Sequence, residues 1–194
     1  HMGRKSLKEI NLVVDALHSA DDEEGNFSYS KFVQNTYHIN MLPANYEETG
    51  PNNFVATFPS FFEEFCSTFD ERERYIAENR IWPKNGEVST LFEIGDRFDI
   101  SRERIRQIEK KLVNKLAGLL CEGAAVKSKK NGVYICDSNF SATWIKAADS
   151  FAGVSDTDIS SFTKQLCNVW NIDLEAVIPV LPLVIVAFTR STTT

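Results

Sequence analysis

The chain has 194 residues, of which 43% are hydrophobic and 25% charged, a composition typical of a globular protein with a sizeable core. Its four cysteines are widely spaced and accompanied by three histidines, so we expect no structural zinc, no other cofactor and a reducing, cytoplasmic environment. The net charge is −6, and the most apolar run, residues 176–188, contains two prolines and is too short to span a bilayer.

The N-terminal part of the chain is predicted to be helical and acidic. Ser6 and Glu9 have the spacing of a capping box, and apolar residues follow them at helical spacing. A second stretch with helical periodicity follows, and after it comes a turn-rich segment. The predicted elements are a helix over 6–19, a helix over 29–37 and a loop over 40–53.

Six phenylalanines lie between Phe54 and Phe69, with Pro59 expected near the start of a helix. A cluster of this kind serves either as an aromatic core or as a stacking platform for single-stranded nucleic acid. Because no basic residue is interleaved with the rings, we favour the core.

The strongest local signals predict a helix-turn-helix. Asp70 is expected to cap a helix that comes before the helix-turn-helix. A second capping box, at Thr90, opens a short helix, and Ser101 is placed to cap a longer helix after it. Residues 99–101 then form the turn, in which Asp99 occupies a position that often requires a left-handed conformation.

A β-hairpin is predicted after the long helix. Asn131 and Gly132 stand between two short apolar segments, which is a strong hairpin signal, and we interpret residues 121–140 as a wing beside the helix-turn-helix. Basic residues would line its tip: Lys127, Lys129 and Lys130.

The predicted fold class is therefore mainly α, a multi-helix protein that contains a helix-turn-helix and a short β-hairpin wing. The predicted organisation is an expression-tag remnant (1–3), an acidic helical region (4–68), the helix-turn-helix domain (69–120), the wing (121–140) and a C-terminal helical region (141–194).

Basic charge is concentrated in residues 102–130, which carry nine Lys and Arg against three Asp and Glu. A basic patch on an acidic chain is typical of nucleic-acid binding, although charge alone favours a solvated helix face.

Helical geometry, at about 100° per residue, separates an apolar stripe from a polar face. The stripe contains Ile105, Ile108, Leu112 and Leu116, and the polar face contains Glu103, Arg106, Gln107 and Lys110, flanked by Arg102 and Arg104.

Long polar side chains near a helix N-terminus suit reading of the DNA major groove. Arg can donate two hydrogen bonds to guanine, Gln can pair with adenine, and Glu can accept from cytosine. The alternative is a surface helix that is stabilised by side-chain pairs at i,i+4 spacing. Arg102 and Arg106 have this spacing but carry like charges, which destabilises the helix and favours an anionic partner.

The segment 90–116, TLFEIGDRFDISRERIRQIEKKLVNKL, resembles region 4.2 of bacterial sigma factors of the housekeeping type, and 69–81, FDERERYIAENRI, is similar to region 4.1. The resemblance implies a recognition helix in the major groove of a promoter −35 element and a surface that can hold the flap of the RNA polymerase β subunit. No part of 1–68 resembles region 2, so we do not expect a complete sigma factor.

Carried over by position, the resemblance implies base contacts by Arg102, Glu103, Arg106 and Gln107. Phosphate or supporting contacts are expected from Ser101, Arg104, Lys110, Lys111, Lys127, Lys129 and Lys130.

These predictions describe a bacterial protein of the cytoplasm and nucleoid that binds double-stranded DNA sequence-specifically in transcription regulation. The alternative is an interaction module that contacts RNA polymerase or another partner without reading DNA. The expected partners are double-stranded DNA, the β flap and a second copy of the chain, with no membrane. No phosphate-binding glycine loop or nucleophile elbow occurs, so we expect no enzymatic activity.

Overall fold

The computed structural model describes residues 4–21, 25–44, 46, 50–83, 85–128, 132–150 and 159–181. The architecture is mainly α with a small sheet, as predicted. In chain order the elements are α1 (Arg4–His18), α2 (Tyr29–Tyr37), β1 (Ile39–Leu42), α3 (Pro51–Ser67), α4 (Glu71–Ile76) with a π-helical turn (Ala77–Ile81), α5 (Leu91–Phe98), α6 (Arg102–Cys121), β2 (Val126–Ser128), β3 (Gly132–Cys136), α7 (Ser138–Ser150), α8 (Ile159–Trp170) and α9 (Leu174–Val177). Across the described ranges, no helix combines the length and apolar character needed to cross a membrane.

The first two helices lie where their periodicity predicts them, but the first begins differently. Because α1 starts at Arg4, Ser6 lies inside the helix and is not its cap. At α2, the Ser28 hydroxyl accepts a hydrogen bond from the backbone N–H of Lys31 at 3.4 Å, as expected of an N-cap.

The predicted hairpin is confirmed and belongs to a three-stranded sheet of order β1-β3-β2. Strands β2 and β3 are antiparallel, with Val126 opposite Tyr134. Strand β1 pairs with β3 in parallel, with Ile39 opposite Val133. The prediction that 40–53 is a loop is therefore wrong at both ends, because β1 extends to Leu42 and α3 begins at Pro51.

The aromatic stretch forms core, as predicted. Five phenylalanines of α3 are buried: Phe54, Phe58, Phe61, Phe62 and Phe65. Three of these rings, those of Phe54, Phe58 and Phe61, pack against Phe140 of α7, and the rings of Phe140 and Phe54 are stacked with centroids 4.4 Å apart. Pro59 lies inside α3, so the prediction that it stands near the start of a helix is wrong. Pro51 occupies the first helical turn, where a missing N–H costs nothing.

An ion pair joins the segments that support the helix-turn-helix. Arg80, in the π-helical turn, contacts Glu109 of α6 with Nε and Oε2 3.0 Å apart. The same guanidinium donates from Nη1 to the carbonyl oxygen of Ser89 at 2.6 Å. One side chain therefore connects the π-helical turn, the loop before α5, and α6.

Candidate nucleic-acid interface

Local hydrogen bonds shape the two helices and the turn between them. The Thr90 hydroxyl accepts from the backbone N–H of Glu93 at 3.2 Å, and the Thr90 backbone N–H donates to the Glu93 carboxylate at 2.7 Å, which completes the predicted capping box. The Thr90 backbone N–H and the Thr90 hydroxyl both donate to the Glu93 carboxylate, and these two hydrogen bonds hold the pKa of Glu93 below its ordinary value. Asp99 follows with φ of 50° and ψ of 52°, the left-handed conformation predicted for the turn.

Helix α6 has one buried and one exposed face, as its periodicity predicts. Ser101 caps α6 by accepting from the backbone N–H of Arg104 at 3.2 Å. The apolar stripe is buried in the core: Ile105, Ile108, Leu112 and Leu116. The residues predicted to contact bases are all exposed: Arg102, Glu103, Arg106 and Gln107. The structure therefore places these four side chains on the solvent side of the first two turns of α6.

Two arginines of this surface contact neighbours within the helix-turn-helix. Arg104 donates from Nη1 to Oε1 of Gln107 at 3.2 Å, which orients the amide of Gln107. The guanidinium carbon of Arg102 lies 5.6 Å from the ring centroid of Phe92 on α5. The sequence predicted no contact for Phe92, which stands in the first turn of α5, where Ile94 fills the buried position.

Farther along α6, basic side chains turn toward the preceding helices. The Lys111 Nζ lies 3.8 Å from a carboxylate oxygen of Glu73 on α4. The phosphate or supporting contact predicted for Lys111 would therefore compete with this intramolecular ion pair. Lys115 lies over the ring of Phe69 at 4.7 Å. Burial lowers the pKa of Lys115, and the negative charge of Glu73 partly offsets this effect.

The remaining predicted contacts flank the exposed surface. Ser101, Arg104 and Lys110 are exposed on or beside the first half of α6. Lys127 is exposed on β2, and its partner strand β3 packs against α6. Lys129 and Lys130 lie outside the described residues.

The capped helix pair, its left-handed turn and the polar outer surface of α6 define a helix-turn-helix of the kind used by transcription factors. Residues 67–117 match the family model "Sigma-70, region 4". The chain thus contains a sigma-70 region 4 module, as the sequence predicted.

Bacterial sigma factors are among the curated proteins to which this chain is similar. RNA polymerase sigma factor SigA1 of Synechococcus elongatus is 46% identical over 54 residues, and sigma factor SigA of Lactococcus lactis subsp. cremoris is 39% identical over 54 residues. Each alignment spans 28% of this chain, and it covers 14% and 15% of the two relatives. The likeness therefore concerns region 4 and not a complete sigma factor. No solved structure matches the chain.

Proposed function

We propose that the chain binds double-stranded DNA sequence-specifically through the N-terminal half of α6, in the regulation of transcription. The observation that carries this proposal is the division of α6: a buried apolar stripe fixes the helix, while Arg102, Glu103, Arg106 and Gln107 remain exposed together. Recognition helices use the residues near their N-termini for base contacts, and these residue types match the donors and acceptors of base edges.

The same surface offers groups for the DNA backbone. The N-terminus of α6 presents backbone N–H groups and the positive end of the helix dipole, which favour phosphate. In this proposal the DNA phosphates are contacted from α6 by Ser101, Arg104 and Lys110, which position the helix on the duplex. Lys127 of β2 contacts the DNA backbone from the hairpin. Residues 69–120 then act as the DNA-binding unit, with the flanking helices as arms.

Selection of bound sequences from a random duplex pool tests the proposal. The protein is expected to enrich one sequence, and a −35-like element would agree with the region 4 module. A palindrome would indicate that two copies of the chain bind together. A pool without enrichment would contradict sequence-specific binding and favour the alternative, contact with the β flap or another protein without reading DNA.

Replacing Arg106 and Gln107 together by alanine is expected to abolish the preference for the selected duplex over random DNA, because these side chains face the base edges in the proposal. Gel-shift titration measures this preference. The double variant Lys164→Ala, Gln165→Ala is the matched control, because it removes the same type of neighbouring pair from α8. Unchanged selectivity in the α6 variant would contradict the assignment of these residues.

Salt dependence separates DNA binding from contact with a protein. Each phosphate contact is expected to contribute about −0.9 to the slope of log affinity against log salt concentration. The slope of Lys110→Ala should therefore be shallower than that of the unmodified chain by roughly one contact. A capture of the isolated β flap with no DNA shift would favour the interaction module instead.

A further inference from the structure

An exposed aromatic side chain lies beside the proposed DNA-reading surface. Phe92 occupies the first turn of α5, and the residue is 63% accessible to solvent. The core of the helix-turn-helix does not require it, because Ile94 is buried there and Leu91 packs against the same core. Single exposed apolar residues are common on protein surfaces, so exposure alone assigns Phe92 no role.

The contact that Phe92 makes is more informative than its exposure. The guanidinium carbon of Arg102 lies 5.6 Å from the centroid of the Phe92 ring, within the range of a cation–π interaction. Arg102 is the first residue of α6 and one of the four side chains predicted to contact bases. The ring therefore connects the first turn of α5 with the beginning of the recognition helix.

An aromatic ring holds a guanidinium in a way that suits base reading. A carboxylate partner would occupy the N–H donors of Arg102 and neutralise its charge. A ring face attracts the cation through its quadrupole and does not consume hydrogen-bond donors. The Arg102 donors thus stay available to a guanine edge or a phosphate, while the freedom of a long side chain is reduced before DNA arrives.

Arg104 provides a comparison within the same surface. It is held by a hydrogen bond to Oε1 of Gln107 at 3.2 Å, so one of its own donors is already used. Arg102 and Arg104 are therefore ordered by different means, one through a ring and the other through an acceptor. This difference favours Arg102 for two-donor recognition of a base and Arg104 for a supporting contact.

We propose that Phe92 is a positioning residue that orders the Arg102 guanidinium for base reading and so sets specificity at one base pair of the DNA site. This inference rests on the proposed function. It assigns a role in recognition to α5, which contributes no residue to the predicted site.

The test compares two variants at position 92 with one variant elsewhere in the chain. Phe92→Leu keeps an apolar side chain but removes the ring, Phe92→Tyr keeps the ring, and Phe27→Leu alters another exposed phenylalanine, 54% accessible and outside the helix-turn-helix. Binding is measured for the selected duplex and for each of its single-base-pair substitutions. Thermal unfolding of each variant is measured in parallel.

Phe92→Leu is expected to reduce discrimination at one base pair about two- to five-fold, the range expected for an exposed cation–π contact. Phe92→Tyr and Phe27→Leu should discriminate like the unmodified chain. The base pair affected should be the one at which Arg102→Ala loses discrimination, and Phe92→Leu should have no further effect in the Arg102→Ala background.

A DNA-free measurement tests the ordering of Arg102 separately from DNA binding. The ¹⁵Nε relaxation of Arg102 should show a more mobile side chain in Phe92→Leu than in the unmodified chain or in Phe92→Tyr. Unchanged mobility together with unchanged discrimination would overturn the inference, as would an equal loss of affinity for all duplexes. If the unmodified chain selects no sequence, the proposed function fails, and the role in base reading fails with it, whatever the mobility of Arg102.

Discussion

Gly95 of α5 lies close to the turn of the helix-turn-helix. A Cβ atom at this position would stand 2.9 Å from the carbonyl oxygen of Ile100, a backbone atom with little freedom to move. The backbone N–H of Ile100 donates to the carbonyl oxygen of Gly95 at 3.1 Å, which holds the two segments together. The turn therefore requires glycine at this position for space.

Replacing Gly95 by alanine is expected to lower the free energy of unfolding by about 1–3 kcal/mol, because the new methyl group forces the turn away from α5. This loss should appear even though alanine is the better helix former by about 1 kcal/mol. Urea denaturation measures the change. Gly118→Ala is the control, since a Cβ atom there would lie 3.4 Å from the Cβ of Ala124 and should leave stability equal or higher. Equal losses in both variants would contradict the explanation.

At the scale of the secondary-structure element, α5 is short and depends on its capping box. Glu93 accepts from both the backbone N–H and the hydroxyl of Thr90, and the pKa of Glu93 is lowered by these hydrogen bonds. The folded state therefore favours the carboxylate form. Its contribution to stability is complete above the unfolded-state pKa, about 4.3, and is lost as the pH falls through the lower folded-state pKa.

Glu93→Gln is consequently expected to lower the thermal unfolding midpoint at pH 7 and to have a shrinking effect as the pH falls below about 4. Unfolding scans at several pH values, with the unmodified chain in parallel, measure the difference. Glu87→Gln serves as control because this exposed carboxylate lies in the loop before α5. A difference that stays constant down to the lowest pH would show that the charge of Glu93 is not involved.

The elements predicted correctly are those whose signals lie within a few residues. The expected caps form at Thr90 and Ser101 because the backbone N–H that each hydroxyl binds is only three residues farther along the chain, at Glu93 and Arg104. Strand β1 was missed because its partner β3 lies far along the chain, with Ile39 opposite Val133, and no local pattern shows a pairing across that separation.

At the scale of the whole molecule, the helix-turn-helix shares its core with the helices around it. Phe62 of α3 packs edge-on against Trp82 with ring centroids 5.3 Å apart, and the Trp82 indole donates to the carbonyl oxygen of Pro179 at 3.1 Å. Trp144 of α7 donates to the sulfur of Cys121, the last residue of α6, at 3.2 Å. One hydrophobic cluster runs through all these elements, so we expect them to unfold together.

Phe58→Ala is expected to lower the free energy of unfolding by about 3–5 kcal/mol, because the ring is fully buried among other aromatic rings of α3 and α7. Hydrogen exchange should show reduced protection for the amides of residues 112–120 of α6 as well as for α3. Leu12→Ala, at a side chain that is 65% exposed, should change neither quantity. Loss of protection confined to α3 would instead support 69–120 as an independent domain.

The sequence by itself determined the helix-turn-helix, its caps and the division of α6 into a buried stripe and an exposed polar face. These features depend on hydrogen bonds between near neighbours and on the period of one helix, both of which are present in a short segment. The tertiary structure decided the parallel pairing of β1, the contact between Phe92 and Arg102 and the continuity of the core from α3 to α9. Such contacts depend on how separate elements pack, which is set by the whole chain and not by local residues.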